Sequence, residues 1–394
     1  MNPWRGLKNL KKELWLLSAA TLINRSGTMA LPFLAIYINK HLHFSIAESG
    51  LIITVYGIAA LITAPLIGRM CDSVNPFKIM KYSLLFSGLL LFLFPLAQKY
   101  YQIIILTFIW SSLNESFRPA NLVLISYFSS VETRRIAFAL NRLAVNLGMS
   151  IGPAIGGILV LYDYSLLFYV DGAAHIISWC FLYFTTKKMD IHKTRENEIK
   201  KVENENNQTE IKKHIFKFVL VFIPVLIVFF QIFTTFPIYI TQELQYKESV
   251  YGFLFALNTV MIILLEVPLL NYLVKIKNTS LITAGSLLVG IGFMLMIFGG
   301  NIAALIISVI FWTFGEMIIF PTSAAYISEI APEGKRGEYM GYYQTGNNTA
   351  FSLGPVLGSF IYQTYGSHIL WSAAFVMAAI SSAGIFIIVK KQKI

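Results

Sequence analysis

The sequence predicts an all-α membrane protein of twelve transmembrane helices arranged as two parallel six-helix bundles. Three observations carry that expectation. Charged residues make up only 13% of the 394 and hydrophobic ones 56%, against about 25% charged in a soluble domain. The apolar segments each reach the roughly 20 residues that a helix needs to cross a bilayer. They are too long and too continuously apolar for barrel strands of about ten residues with alternating polarity. Finally, the first six segments match the last six at a nearly constant spacing.

In chain order the expected spans are 14–38, 47–69, 79–98, 102–127, 137–161, 166–186, 215–240, 250–274, 280–299, 301–329, 338–362 and 367–389. Residues 1–15 read as a basic amphipathic lead-in to the first span. They lack the short apolar core and small-residue cleavage site of a signal peptide. With the N-terminus inside, 25 of the 31 Lys and Arg fall in inner segments and three, Lys40, Lys99 and Lys247, in outer loops. That bias sets both termini in the cytoplasm. It also explains the net charge of +11 without nucleic-acid binding. Cys71 and Cys180 stand far apart and suggest neither a disulfide framework nor a metal site.

The one long hydrophilic stretch, 187–213, carries eight basic and six acidic residues and no apolar face. It reads as a cytoplasmic linker, or alternatively as a regulatory helix, between an N-terminal bundle (1–186) and a C-terminal bundle (214–394). The bundles match at an offset of 202. Tyr37, Gly50, Pro119 and Arg134 align with Tyr239, Gly252, Pro321 and Arg336, and Asn146, Gly152, Pro153 and Gly156 with Asn348, Gly354, Pro355 and Gly358. Each half has an even span count, so the repeats are parallel, as in transporters whose bundles rock about a midplane site.

Three motifs resemble those of the major facilitator superfamily. GRMCDSVNPFK (68–78) resembles its G-x-L-A-D-R-x-G-R-R/K loop, with Gly68, Asp72 and Lys78 in matching places. Ser73, Asn75, Pro76 and Phe77 depart from the pattern and thin its basic cluster. NLGMSIGPAIGG (146–157) resembles the G-x-x-x-G-P-x-x-G-G motif of twelve-span drug:proton antiporters, through Gly148, Gly152, Pro153 and Gly156. Small residues at that spacing also suit plain helix packing. GEMIIFP (315–321) resembles a Gly-Glu…Pro element of multidrug antiporters and proton-coupled peptide transporters. The resemblance covers essentially the whole chain. It implies the major facilitator fold and a central cavity lined by spans 1, 4, 7 and 10.

The intramembrane charges are Arg25, Glu115, Arg118, Arg142, Asp171, Glu266 and Glu316. Charge at bilayer depth is costly and marks function by default. Glu115 and Arg118 share one helix face at i, i+3. They form either a static ion pair or a switch in which Glu115 exchanges Arg118 for a proton. Glu316 has no basic neighbour on its own helix, and Glu266 precedes Pro268. These three carboxylates are the candidates for proton coupling. Candidate substrate contacts are Arg25, Arg118, Asn24, Asn114, Gln231, Tyr239, Gln344 and Asn347. Candidate gating positions are Gly68, Asp72, Lys78, Arg142, Gly148, Gly152, Pro153 and Gly156. Asp171 and His175, one turn apart, read as a structural hydrogen bond or as a proton relay.

No phosphate-binding G-x-x-x-x-G-K-[ST] loop occurs, which disfavours an ATP-driven pump. No nucleophile–base pair stands at motif spacing, so an enzyme is not expected, nor a cofactor. The expectation is a monomeric, multi-pass secondary transporter of the bacterial inner membrane, whose partners are a small-molecule substrate, protons and the lipid bilayer. The leading reading is proton-coupled efflux of amphipathic drugs. The alternative is a dedicated exporter or importer of one anionic or zwitterionic metabolite, such as a siderophore, sugar, peptide or lipid.

Overall fold

The computed structural model describes residues 4–187 and 205–390, and they contain helices and turns but no strand. Most of the expected linker lies outside the described residues. Its last part, from Glu205, is already helical and continues without interruption to Phe229.

The main helices are α1 (Lys12–Ser26), α2 (Ala30–Ile36), α3 (Ile46–Ser73), α4 (Pro76–Leu93), α5 (Tyr100–Glu115), α6 (Phe117–Phe128) and α7 (Arg134–Leu159). They continue with α8 (Ser165–Thr185), α9 (Glu205–Phe229), α10 (Glu248–Tyr272), α11 (Asn278–Leu295), α12 (Ile302–Ile330), α13 (Arg336–Tyr365) and α14 (Ser367–Lys390). Among the described residues, nine helices are long and apolar enough to cross a membrane. Three expected spans are not among the nine. Two of them are broken into shorter helices, α1–α2 and α5–α6. The third, α13, is long but dotted with Gln344, Asn347 and Asn348.

The breaks follow from proline chemistry. Proline has no N–H to donate to the carbonyl four residues back. Pro32 therefore leaves Thr28 unserved, and the chain leaves the α-helix over Gly27–Met29. Pro119 likewise leaves the carbonyl of Glu115 unserved, and the helix turns at Ser116. Pro321, the repeat partner of Pro119, stands inside the continuous helix α12, so the same residue interrupts one half and is carried within a helix in the other.

Elsewhere the repeat reaches fine backbone detail. A π-helical turn at Tyr37–His41 recurs at Tyr239–Glu243. The left-handed residue His43 (φ 61°) recurs at Gln245 (φ 56°). The buried Trp110 answers the buried Trp312.

The chain folds as two compact units. One comprises Leu10–Val202 with Ala331–Thr345; the other comprises Met1–Asn9, Glu203–Ile330 and Gly346–Ile394. The first has an aromatic core in which Phe94 stacks on Phe168 at 4.6 Å and Tyr37 meets Phe168 edge-on at 4.7 Å. In the second, Tyr239 lies edge-on to Trp371 at 5.4 Å and Phe293 stacks on Trp312 at 6.0 Å.

Candidate functional site

The first unit gathers most of the intramembrane charge into one buried cluster. It begins at the break between α1 and α2, where the first N–H groups of α2 have no intrahelical partner. Asp171 of α8 reaches them: Met29 and Ala30 donate to its Oδ2 at 3.3 and 3.0 Å. A carboxylate there is favoured by the positive end of the helix dipole. His175, one turn along α8, places Nδ1 2.9 Å from the Asp171 carbonyl and 3.1 Å from its Oδ1.

The other ring nitrogen continues the chain of contacts. Nε2 lies 3.1 Å from Asn114 Oδ1 on α5. Asn114 donates to the Tyr56 hydroxyl of α3 at 2.8 Å, and that hydroxyl donates to Glu115 Oε1 at 3.0 Å. Glu115 Oε2 then faces Arg118 Nη1 at 3.4 Å. All of these side chains are buried except Arg118, which is 36% exposed. Arg25 is buried in the same unit, within electrostatic range of Arg118, Glu115, Tyr56 and Asp171. Two guanidinium groups and two carboxylates thus balance when His175 is neutral. Neighbouring Asn24 is also buried, and its amide has no hydrogen-bond partner among the described residues.

The glycines of α7 set the distance between that helix and the break. A Cβ at Gly148 would overlap Arg25. One at Gly152 would lie 2.7 Å from the Thr28 carbonyl, and one at Gly156 3.0 Å from Met29 Cβ. Only glycine lets the two backbones approach this closely. Pro153 stands inside α7 without ending it, and Arg142 is half-buried on the same helix.

At the C-terminal end of α3, Asp72 accepts from Gly337 N and Glu338 N, both at 2.7 Å. It thereby caps α13, another carboxylate at a helix N-terminus. Gly68 makes the approach feasible, since its Cβ would sit 2.6 Å from the Gly337 carbonyl. Arg69 adds a contact at 3.5 Å to Glu338 and donates to the Tyr342 hydroxyl at 3.0 Å. Lys78 is exposed on α4 and Gln344 is buried on α13.

The second unit is built with fewer charges. Asn258 donates to Glu316 Oε2 at 2.7 Å and lies 3.0 Å from Thr313 Oγ1. At the repeat offset these positions answer Tyr56, Asn114 and Ser111, so one three-residue contact is built twice from different polar groups. Glu266 and Asn348 are buried, and Asn347 is half-buried. Two expected substrate contacts sit in packing instead. Gln231 Nε2 donates to the Gly354 carbonyl at 2.8 Å and to the Ile227 carbonyl, and its Oε1 accepts from Thr235. The Tyr239 hydroxyl donates to the Met296 carbonyl at 2.7 Å.

Sequence reasoning did not single out Tyr56, the bridge between Asn114 and Glu115, nor the buried triad Thr21, Asn121 and Asn141. In that triad Asn121 donates to Asn141 Oδ1 at 2.7 Å. A polar residue at helical spacing inside an apolar span was the available signal. Among the described residues no group of three or more His, Cys, Asp or Glu is gathered as for a metal ion.

Comparison with known proteins agrees with this architecture. The MFS-type transporters YqjV and YttB of Bacillus subtilis (strain 168) are 23% and 24% identical over 375 and 393 residues. These alignments cover 93% and 98% of this chain, and 90% and 97% of those proteins. The multidrug resistance protein MdtG of Escherichia coli O1:K1 / APEC is 31% identical over 170 residues, covering 42% of this chain and 41% of that protein. Among solved structures, the human organic anion transporter MFSD10 (TETRAN) superposes with a TM-score of 0.74 at 13% identity, covering 95% of this chain and all of that one. A bacterial homologue of the iron transporter ferroportin gives 0.76 at 14% identity, covering 97% of this chain and all of that one. The sequence profile described as the Major Facilitator Superfamily matches residues 14–318 and 219–391, and the chain belongs to that family of membrane transporters.

Proposed function

We propose that the chain is a proton-coupled secondary transporter of the bacterial inner membrane that exports amphipathic small molecules by alternating access. In this reading it has twelve spans in two parallel six-helix bundles, both termini cytoplasmic, and works as a monomer. The observation that carries it is the contact of the buried Glu115 with the partly exposed Arg118 at 3.4 Å. A carboxylate beside a cation stays ionised, and one whose partner leaves takes up a proton in a low-dielectric surrounding. Movement that separates the pair lets Glu115 exchange Arg118 for a proton. Glu316, held by the neutral Asn258, is the second coupling group, and Glu266 a third. The partial similarity to MdtG supports a drug-like substrate.

A second reading, export or import of one anionic or zwitterionic metabolite, is favoured by Arg25. It is buried, with no ion pair within 4.0 Å among the described residues. With Arg118, Asn24 and Asn114 it offers an anion a charged and hydrogen-bonding surface.

The test is transport in proteoliposomes under an imposed pH gradient, with cationic dyes and anionic metabolites compared. Gradient-driven dye movement that falls at least tenfold in Glu115→Gln and Glu316→Gln is expected. Flux indifferent to the gradient and to both variants defeats proton coupling. Movement of an anionic metabolite alone defeats the drug reading and establishes the second.

A further inference from the structure

We propose that His175 is a second holder of the coupling proton, and that the bridge Asn114–Tyr56 makes it and Glu115 mutually exclusive holders of one proton. This rests on the proton-coupled reading above. It adds a site on α8, away from Arg118.

Donors and acceptors along the bridge must match. His175 Nδ1 faces two acceptors, the carbonyl and Oδ1 of Asp171, so it carries a hydrogen. Nε2 is then the variable position. With Asn114 Oδ1 toward the ring, the contact is completed by a hydrogen on Nε2, and this arrangement holds the proton on His175 as an imidazolium. The remaining bonds then run one way, from Asn114 Nδ2 to Tyr56 and from Tyr56 to ionised Glu115.

Turning the Asn114 amide over reverses that direction at unchanged heavy-atom positions. Its NH₂ donates to a bare Nε2, its oxygen accepts from Tyr56, and the Tyr56 oxygen accepts from a protonated Glu115. Along the bridge from His175 Nε2 to Glu115 Oε1, each donor meets an acceptor in both arrangements. Both contain one proton gained from water, bound through a new N–H bond at Nε2 in the first and a new O–H bond at Glu115 in the second.

The other two occupancies are disfavoured. With no proton, the single Tyr56 hydrogen cannot serve both Asn114 Oδ1 and Glu115 Oε1, and one acceptor faces another at about 3 Å, a buried mismatch that costs about 1–3 kcal/mol in any such network. With two protons, the cluster carries two net positive charges. The charged and titratable groups of the cluster are Asp171 on the same helix, Arg25 on α1, Tyr56 on α3, Glu115 on α5 and Arg118 on α6, with Arg25 within electrostatic range of the other four. Helix α4 brings Gly88 against His175 Cβ, and α2 brings backbone N–H groups alone to Asp171.

The consequence lies at Arg118. A proton on His175 leaves Glu115 ionised and Arg118 occupied. A proton on Glu115 releases the Arg118 charge to an incoming group. His175 and Asp171 thus decide which state Arg118 is in.

The experiment uses the full chain in detergent micelles without substrate. Nitrogen-15 signals of labelled histidine report the ring, and the infrared carboxyl band reports Glu115, over about pH 5 to 9, which brackets free histidine. His175→Gln identifies the ring signal and Glu115→Gln the carboxyl band. Both signals are expected in the native chain, each partial and together amounting to one proton. In His175→Gln the carboxyl band grows about twofold or more. Asp171→Asn, which keeps an acceptor for Met29 and Ala30 but loses the charge beside Nδ1, is an independent variant should His175→Gln not fold. There the imidazolium signal falls and the carboxyl band rises. A ring that stays neutral across the whole range, or a carboxyl band unchanged in both variants, overturns the proposal. Dye transport is read separately. If the shared proton is found but no pH-driven transport, the proposed function fails and this assignment stands. Intact proton-driven transport with a neutral ring throughout defeats this assignment alone.

Discussion

Replacing Asp171 separates its role as a cap from its role as a charge. In Asp171→Ala the fully buried N–H groups of Met29 and Ala30 lose their acceptor. Each unsatisfied buried N–H costs about 1–3 kcal/mol, so the pair costs about 4 kcal/mol. Asp171→Asn keeps an oxygen in the same place. It loses the charge–dipole contribution, about 0.3–1 kcal/mol and up to about 2 in buried geometry, together with the extra strength of a charge-assisted bond. Its cost is therefore about 1–2 kcal/mol. His175 loses its ionised neighbour in both variants, so the difference between them, about 2–3 kcal/mol, isolates the cap. Equilibrium unfolding in mixed detergent micelles, followed by tryptophan fluorescence, measures it. Alanine and asparagine variants equal to within about 0.5 kcal/mol, or asparagine the worse of the two, would refute the capping argument.

Further outcomes follow from single contacts. Gly152→Ala brings a methyl group 2.7 Å from the Thr28 carbonyl and costs about 1–3 kcal/mol as an overpacked contact; Gly252→Ala, with nothing within 4 Å, is neutral or gains up to about 1 kcal/mol, both read by the same unfolding assay. Tyr239→Phe loses one buried hydrogen bond, costs about 0.5–1.5 kcal/mol, and leaves substrate affinity in the liposome assay unchanged. Asp163, between α7 and α8, accepts from the Ser165 N–H at 2.7 Å, which holds its carboxyl below the usual range. Its stabilisation is full above the unfolded value of about 3.9 and fades as pH falls through the lower folded one, so Asp163→Asn flattens the acid limb of an unfolding profile.

What the sequence shows plainly is what repeats or what is long. The apolar segments and the offset of 202 place the helices, and the matched Tyr37 and Tyr239, or Gly152 and Gly354, fall in equivalent surroundings. The breaks are less legible. Pro119 and Pro321 match in sequence, yet only the first interrupts its helix, because whether a lost hydrogen bond opens a helix depends on what else serves the freed carbonyl. Within the site, the pair Glu115 and Arg118 is visible from i, i+3 spacing alone. Its link to His175 is not, since it passes through Tyr56 on α3 and Asn114 on α5, and contacts between helices leave no periodic trace. Gln231 and Tyr239 show the converse: polar residues on a cavity-type span that the structure binds into packing.

The two units meet one problem in two ways, and the difference bears on the carboxylate. Each has an irregular turn at its first long helix, at Gly27–Met29 in the first unit and at Phe230–Thr234 after α9 in the second. In the second unit the neutral Gln231 donates to the carbonyls of Ile227 and Gly354 and accepts from the Thr235 hydroxyl. In the first, Asp171 accepts from the N–H groups of Met29 and Ala30 as an anion. An Asn at 171 would also offer those N–H groups an oxygen, whereas an ionised side chain at bilayer depth carries a desolvation cost of a few kcal/mol. Capping alone does not account for the choice of Asp at 171. The charge acquires a reason once His175 is included, because the carboxylate lies 3.1 Å from Nδ1 of the ring that the proposal makes a proton holder. An Asp171→Asn chain that folds and keeps its cap, yet changes where the proton sits, is the outcome this reasoning requires.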